Sequence, residues 1–142
     1  MKEIIINDDN IKDEELTDIV RTINVLMINS KQEILMEKHH NTYYFIHDYS
    51  EDGIISKLGI DIKEYHPFLI RKKYILDYPL IGDNTVYESF YYKVDKDLLS
   101  DDYEYLPLDS IQEVIENNRY DNPRNQEITT EILEVLEYLQ FE

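Results

Sequence analysis

The 142-residue sequence has no cysteine and no tryptophan, only three glycines and four prolines, and 14 basic residues against 31 acidic ones. The lack of cysteine rules out a disulfide framework, a thiolate zinc site and a cysteine nucleophile together. So few glycines leave no G-x-x-x-x-G-K loop to cradle a phosphate and no G-x-S-x-G elbow to present a serine nucleophile. No apolar run approaches the ~18 residues of a membrane-spanning helix. The opening "MKEIIINDDN" has neither the length nor the small-residue cleavage site of a signal peptide. These absences lead us to expect a cytoplasmic protein that makes no membrane contact.

Hydrophobic residues make up 42% and charged residues 32%, a globular composition on a chain whose length suits one domain spanning 1–142. The net charge is −17, and its distribution is uneven. Residues 1–20 hold seven acids and two bases, residues 21–94 ten and nine, and residues 95–142 fourteen and three. Two acidic ends therefore flank a nearly neutral middle. Direct binding of DNA or RNA is not expected, because it depends on Lys and Arg displacing counterions from phosphates. An acidic surface of this kind instead attracts basic proteins and speeds their encounter.

Periodicity outlines the elements. In "RTINVLMINSKQEILMEK", Ile23, Val25 and Met27 alternate with Asn24, Leu26 and Ile28, and Ile34 to Met36 resume after a turn at Asn29-Ser30-Lys31, which predicts a hairpin. "TYYFI" reads as a third strand. From Gly59 an extended run continues through "IDIKEYHPFLIRKKYILDY", where Pro67 and the cluster Arg71 to Lys73 suit an edge strand. "TVYESFYYKVD" follows a turn signal at Gly82-Asp83-Asn84. Two carboxy-terminal helices are expected over 109–139. The first starts near Asp109 with Ser110 and Glu113 spaced as a capping box, and the second is capped by Asn122 ahead of Pro123. Ile128, Ile132, Val135, Leu136 and Leu139 fall on one face of the second helix, with Glu127, Glu131, Glu134 and Glu137 on much of the rest.

This order of elements, together with "FIHDYSEDGI" and "KLGIDI", resembles the Nudix family over about residues 20 to 140. The resemblance implies an α/β/α sandwich with a mixed β-sheet. In that family, a signature G-x5-E-x7-R-E-U-x-E-E-x-G-U places glutamates on one helix to hold Mg²⁺ or Mn²⁺ for hydrolysis of nucleoside diphosphate derivatives. Glutamates at helical spacing converge their oxygens on hard cations, which clamp the diphosphate and activate water. Here Phe45, Glu51, Asp52 and Gly53 match the approach to the signature, and Gly59-Ile60 match its end. Ile54 replaces the first glutamate, and Ser56 and Lys57 stand at the metal-binding pair. The stretch from Asp48 to Ile60 is 13 residues long, too short for the full pattern. The catalytic helix reads as largely deleted, leaving no catalytic residue.

Asp48, Glu51 and Asp52 are the remaining weak metal candidates, with Glu51 and Asp52 expected in a loop. His39, His40 and His47 could approach one another across a hairpin but lack H-x-x-x-H spacing. Two functional classes follow. In the first, the protein is a non-catalytic acidic module without cofactor. Asp101, Asp102, Glu104, Glu127, Glu131 and Glu134 then engage a basic protein surface as an inhibitor or nucleic-acid mimic, the target being a nuclease or a host defence complex. In the alternative, the cleft still takes a small nucleotide, with Tyr43, Phe45, Tyr87 and Tyr91 stacking the base and Mg²⁺ or Mn²⁺ supporting residual hydrolysis. Self-association into a homodimer through an exposed sheet edge is a further expectation.

Overall fold

A computed structural model describes residues 2–77, 83–117 and 123–139. The chain is an α/β fold. Its strands are β1 (Lys2–Ile6), β2 (Asp18–Ile28), β3 (Glu33–His39), β4 (Thr42–Asp48), β5 (Leu69–Asp77), β6 (Asp83–Asp95) and β7 (Glu104–Pro107), and its helices are α1 (Glu51–Leu58), α2 (Ile111–Asn117) and α3 (Pro123–Leu139). Hydrogen bonds order the strands β1-β5-β6-β2-β4-β3-β7, with β2 also pairing β3. The sheet is mixed, β1 running parallel to β5 and the other described pairs antiparallel. The residues gather into two compact units, Met1–Asn24 with Asp48–Tyr92 and Val25–His47 with Lys93–Glu142.

In the first unit, β5 lies between β1 and β6, which corrects the edge-strand reading of Arg71 to Lys73. The cause is at the amino terminus. Ile4, Ile5 and Ile6 form a β-branched run that favours a strand, and it adds to β5 in register from Lys2 opposite Leu69 to Ile6 opposite Lys73. The expected extended run from Gly59 is also interrupted. Asp61 accepts the Lys63 N–H (3.1 Å) and starts a 3-10 turn, Ile62–Glu64, which buries Ile62 before β5 begins. Gly82 lies outside the described residues, so the turn expected there is not described, while Asp83 and Asn84 begin β6. Ile54, Ile62, Leu69 and Tyr91 supply much of this unit's interior.

The second unit contains the expected hairpin: β2 ends at Ile28, which pairs with Ile34 of β3. Asn29 builds the turn, its Oδ1 accepting the N–H groups of Lys31 (3.1 Å) and Glu33 (2.9 Å). The turn from β3 to β4 is two residues, His40 and Asn41, with φ of 50° and 66°. Positive φ at both centres matches the right-handed twist of the flanking strands. Strand β7 pairs with β3, Leu106 opposite Ile34. Val25, Leu26, Met27, Leu35, Met36 and Ile46 are fully buried. Helix α2 follows Ser110, whose carbonyl accepts the Val114 N–H (3.1 Å). In α3, Ile132, Val135 and Leu136 are buried, as the apolar stripe predicts, and Thr129 joins them. Asn122 lies outside the described residues.

Candidate functional site

Where the sequence suggested a loop holding Glu51 and Asp52, the chain forms α1, an eight-residue helix with complete local signals at both ends. Ser50 caps the start by accepting the Gly53 N–H (3.0 Å). Gly59 ends it in the left-handed region (φ 68°), its N–H reaching the Ile55 carbonyl (2.8 Å). Ile54 and Leu58, one turn apart, are the buried residues of the helix. Glu51 and Asp52 therefore sit in a first helical turn, not a loop. That placement is favourable for acids, because the helix dipole is positive there.

The carboxylates around α1 meet cations that the chain itself provides. Asp48 Oδ1 accepts the N–H groups of Tyr49 (2.7 Å) and Ser50 (3.4 Å), while its Oδ2 lies 3.7 Å from Lys57 Nζ. A β-carbon on Gly53 would overlap the Asp48 carboxyl group, so glycine is what lets Asp48 fold over the start of the helix. Lys63 Nζ lies 4.0 Å from Glu51 and 3.7 Å from Asp52. This donor set is a poor fit for Mg²⁺ or Mn²⁺, since an ammonium group lies within 4.0 Å of each of the three carboxylates. Among the described residues, no group of three or more His, Asp or Glu side chains is placed to hold a metal ion.

The four aromatic residues proposed for base stacking are strand residues. Tyr43 and Phe45 belong to the second unit, with Tyr43 7% and Phe45 4% exposed; Tyr91, in the first unit, is 1% exposed, and Tyr87 is 39% exposed. Tyr43 donates its hydroxyl to Glu104 Oε2 (3.1 Å). Burial, then the Glu104 hydrogen bond and charge, push the Tyr43 phenol above its ordinary range. Three of the four thus serve the interior.

The histidines separate. His40 sits at the tip of the β3–β4 turn, whereas His39 and His47 both approach Glu37. The Glu37 Oε2 atom lies 3.4 Å from His47 Nδ1 and 3.8 Å from His39 Nε2, and the Tyr44 ring stands 5.9 Å from each imidazole. His47 Nδ1 also lies 2.8 Å from the Phe45 carbonyl oxygen. Glu37 is only 7% exposed. Sequence reasoning passed over this residue, although a glutamate inside the strand "EILMEKH" was a usable signal.

Of the acids proposed for a partner, Asp101 and Asp102 are exposed ahead of β7, Glu104 is tied to Tyr43, and Glu127, Glu131 and Glu134 recur at i, i+4 and i+7 on α3. The structure places Glu134 in a surface groove of about 700 Å³ lined by α2 and α3, together with Glu113, Glu116 and Glu137. Gln112, Thr130 and Leu133 complete the lining among the described residues. The pairs Glu113/Glu116 and Glu134/Glu137 are each three residues apart, so like charges face one another on each helix. Glu113 and Glu116 were not among the acids expected to bind a partner. The helical spacing of α2 was the available clue.

No protein-family model matches the chain, and no curated protein matches it. Among solved structures it is similar to the Ap4A hydrolase of C. elegans, at 10% identity over 83% of this chain and 98% of that one, with a TM-score of 0.46. It is also similar to DR0079 from Deinococcus radiodurans, at 12% identity over 69% of this chain and 72% of that one, with a TM-score of 0.43.

Proposed function

We propose that this chain is a non-catalytic, Nudix-like protein that binds a basic protein surface through its acidic carboxy-terminal helices. It acts as an inhibitor or nucleic-acid mimic against a nucleic-acid-binding protein such as a nuclease or a host defence complex. The observation that carries this reading is the α2–α3 groove, whose lining brings Glu113 and Glu116 of one helix together with Glu134 and Glu137 of the other, beside Thr130 and Leu133. Carboxylates held on two helices present spaced negative charge much as a phosphate backbone does, and Leu133 adds an apolar contact between them. The acids near α1 support the non-catalytic part, because Lys57 and Lys63 neutralise them.

A pull-down from lysate of the native host, eluted in steps of rising salt, tests the reading. The unmodified protein should retain one basic nucleic-acid-binding protein and release it as salt rises, since exposed charge contacts are screened beyond ~8–10 Å at physiological ionic strength. A variant with Glu113, Glu116, Glu134 and Glu137 changed to Gln should retain far less. Equal retention by the two proteins, or metal-dependent cleavage of a nucleoside diphosphate derivative by the unmodified one, would overturn it.

A further inference from the structure

We propose that the chain dimerises through the outer edge of β1, which pairs antiparallel with β1 of a second copy. This surface is separate from the acidic groove on α2 and α3. The order β1-β5-β6-β2-β4-β3-β7 leaves β1 and β7 as the end strands of the sheet. An end strand exposes a row of unpaired N–H and C=O groups, which proteins usually blunt with proline, charge or a covering segment. The two end strands differ in this respect.

The edge at β7 is closed. The Leu108 N–H reaches the Gln32 carbonyl (3.0 Å), so in the antiparallel ladder Leu106 and Glu104 also turn their backbone groups toward β3, while Tyr105 and Pro107 face outward. Pro107 has no N–H, and its carbonyl already accepts the Ser110 N–H (3.2 Å). The Tyr105 hydroxyl holds Leu98, accepting its N–H (3.0 Å) and donating to its carbonyl (2.8 Å). At most one residue of this edge is left to pair.

The edge at β1 is open. Lys2 donates its N–H to the Phe68 carbonyl (3.2 Å), and the parallel register then turns the backbone groups of Lys2, Ile4 and Ile6 toward β5. Alternation directs those of Glu3 and Ile5 outward. Among the described residues, no hydrogen bond takes these outward groups. The strand contains no proline, and Ile5 is 60% exposed. Charge is balanced locally, with Glu3 Oε1 3.2 Å from Lys72 Nζ and Lys2 adjacent.

The occupant is a second copy because β1 is complementary to itself in one register. Placing Glu3 opposite Ile5 of the second copy, and Ile5 opposite its Glu3, lets each pair exchange both hydrogen bonds. Ile4 then meets Ile4 of the second copy on the two-fold axis, as a pair without hydrogen bonds whose side chains lie closest. Ile6 meets the aliphatic stem of Lys2. Sliding the strands so that Glu3 faces Glu3 sets like charges opposite each other, which is unfavourable. Sliding them the other way sets Glu3 against Asn7, whose carbonyl already accepts the Asn10 N–H (3.2 Å).

A strand this short makes a small interface and hence a weak dimer, so sedimentation velocity of the full chain is run from about 10 µM to about 1 mM. Dimer should accumulate across that range. Raising the salt should strengthen it by screening repulsion between two chains of net charge −17, the opposite of the salt release expected of the groove. Ile5→Pro deletes an outward N–H without touching the β5 ladder, and Ile5→Lys adds a charge at the edge; each should weaken association by about tenfold or more. Ile5→Lys changes an exposed position, so the melting temperature of the dilute monomer should barely move, which separates lost pairing from lost folding. The chain has no cysteine, so single-cysteine variants report single contacts. With oxidised glutathione, Ile4→Cys should cross-link to a covalent dimer, because facing Cα atoms in such a pair lie ~4.5 Å apart, within disulfide reach. Ile5→Cys, whose two copies sit diagonally, should cross-link far more slowly. A monomer at every concentration and salt, a dimer that persists in Ile5→Pro and Ile5→Lys, or cross-linking of Ile5→Cys as fast as Ile4→Cys would overturn the proposal.

Discussion

Acidic side chains are treated in opposite ways at α1 and in the α2–α3 groove. Around α1, Asp48, Glu51 and Asp52 accept backbone N–H groups or face Lys57 and Lys63, and they lie at a helix start that welcomes negative charge. In the groove, four glutamates from two helices share one lining. The first arrangement consumes its charge locally and serves the fold. The second gathers acids three residues apart on each of two helices, a spacing at which like charges repel and to which a basic surface would be complementary.

The sharpest way to break this contrast is to ask whether α1 is structural at all. Ile54 is 0% exposed and Leu58 only 3%, so α1 docks through two side chains one turn apart. Ile54→Ala should cost about 2–5 kcal/mol, the range for emptying a buried aliphatic site, measured as a shift in the urea midpoint with an unchanged slope. A loss below about 0.5 kcal/mol, the size of an ordinary surface change, would mean that α1 is loosely held. The neutralised acids would then have to be read as a mobile segment instead of a finished helix start.

Much of the second unit was legible in the sequence, because the apolar run Val25 to Ile28, buried on both faces of its strand, and a five-residue apolar stripe on α3 each mark a core segment. Helix α1 was harder. Its match to a longer motif drew attention to what was missing, while Ser50, Gly53 and Gly59 carried ordinary capping chemistry that needs only eight residues. The edge reading of Arg71 to Lys73 failed because strand order is non-local: β1 comes from residues 2–6 and covers β5 about 67 positions away. The groove glutamates were visible one helix at a time. Only the packing of α2 on α3 shows that they share a surface.

A smaller effect tests the sign of the charges themselves. Lys63→Gln removes the cation facing Glu51 and Asp52, but all three side chains are substantially exposed; the loss should be under about 1 kcal/mol and fade with salt. Glu137→Gln should do the reverse, stabilising by about 0.2–0.5 kcal/mol at low ionic strength as repulsion from Glu134 is relieved. Thermal unfolding of the two variants at low and high salt gives the answer. Shifts of the same sign at low salt would erase the distinction between the two regions.

The two units also differ in how they hold tyrosine hydroxyls, and alkaline titration can read this. Tyr74, in the first unit, donates to Asp13 Oδ1 (2.8 Å), and that hydrogen bond is the leading reason its phenol is pushed above the ordinary value. For Tyr43, in the second unit, burial leads and the Glu104 contact comes after it. A phenol whose folded value is raised contributes stability that is fully present below the unfolded value, about pH 10. That contribution is lost as pH rises through the folded value, because the unfolded chain releases its proton first. Asp13→Asn should therefore return Tyr74 most of the way toward ordinary titration, whereas Glu104→Gln should leave Tyr43 among the late phenols. Phenolate absorbance compared across the two variants and Tyr43→Phe separates the signals. If Glu104→Gln normalised Tyr43 completely, the hydroxyl would be in contact with water, and the placement of Tyr43 in the interior would be wrong.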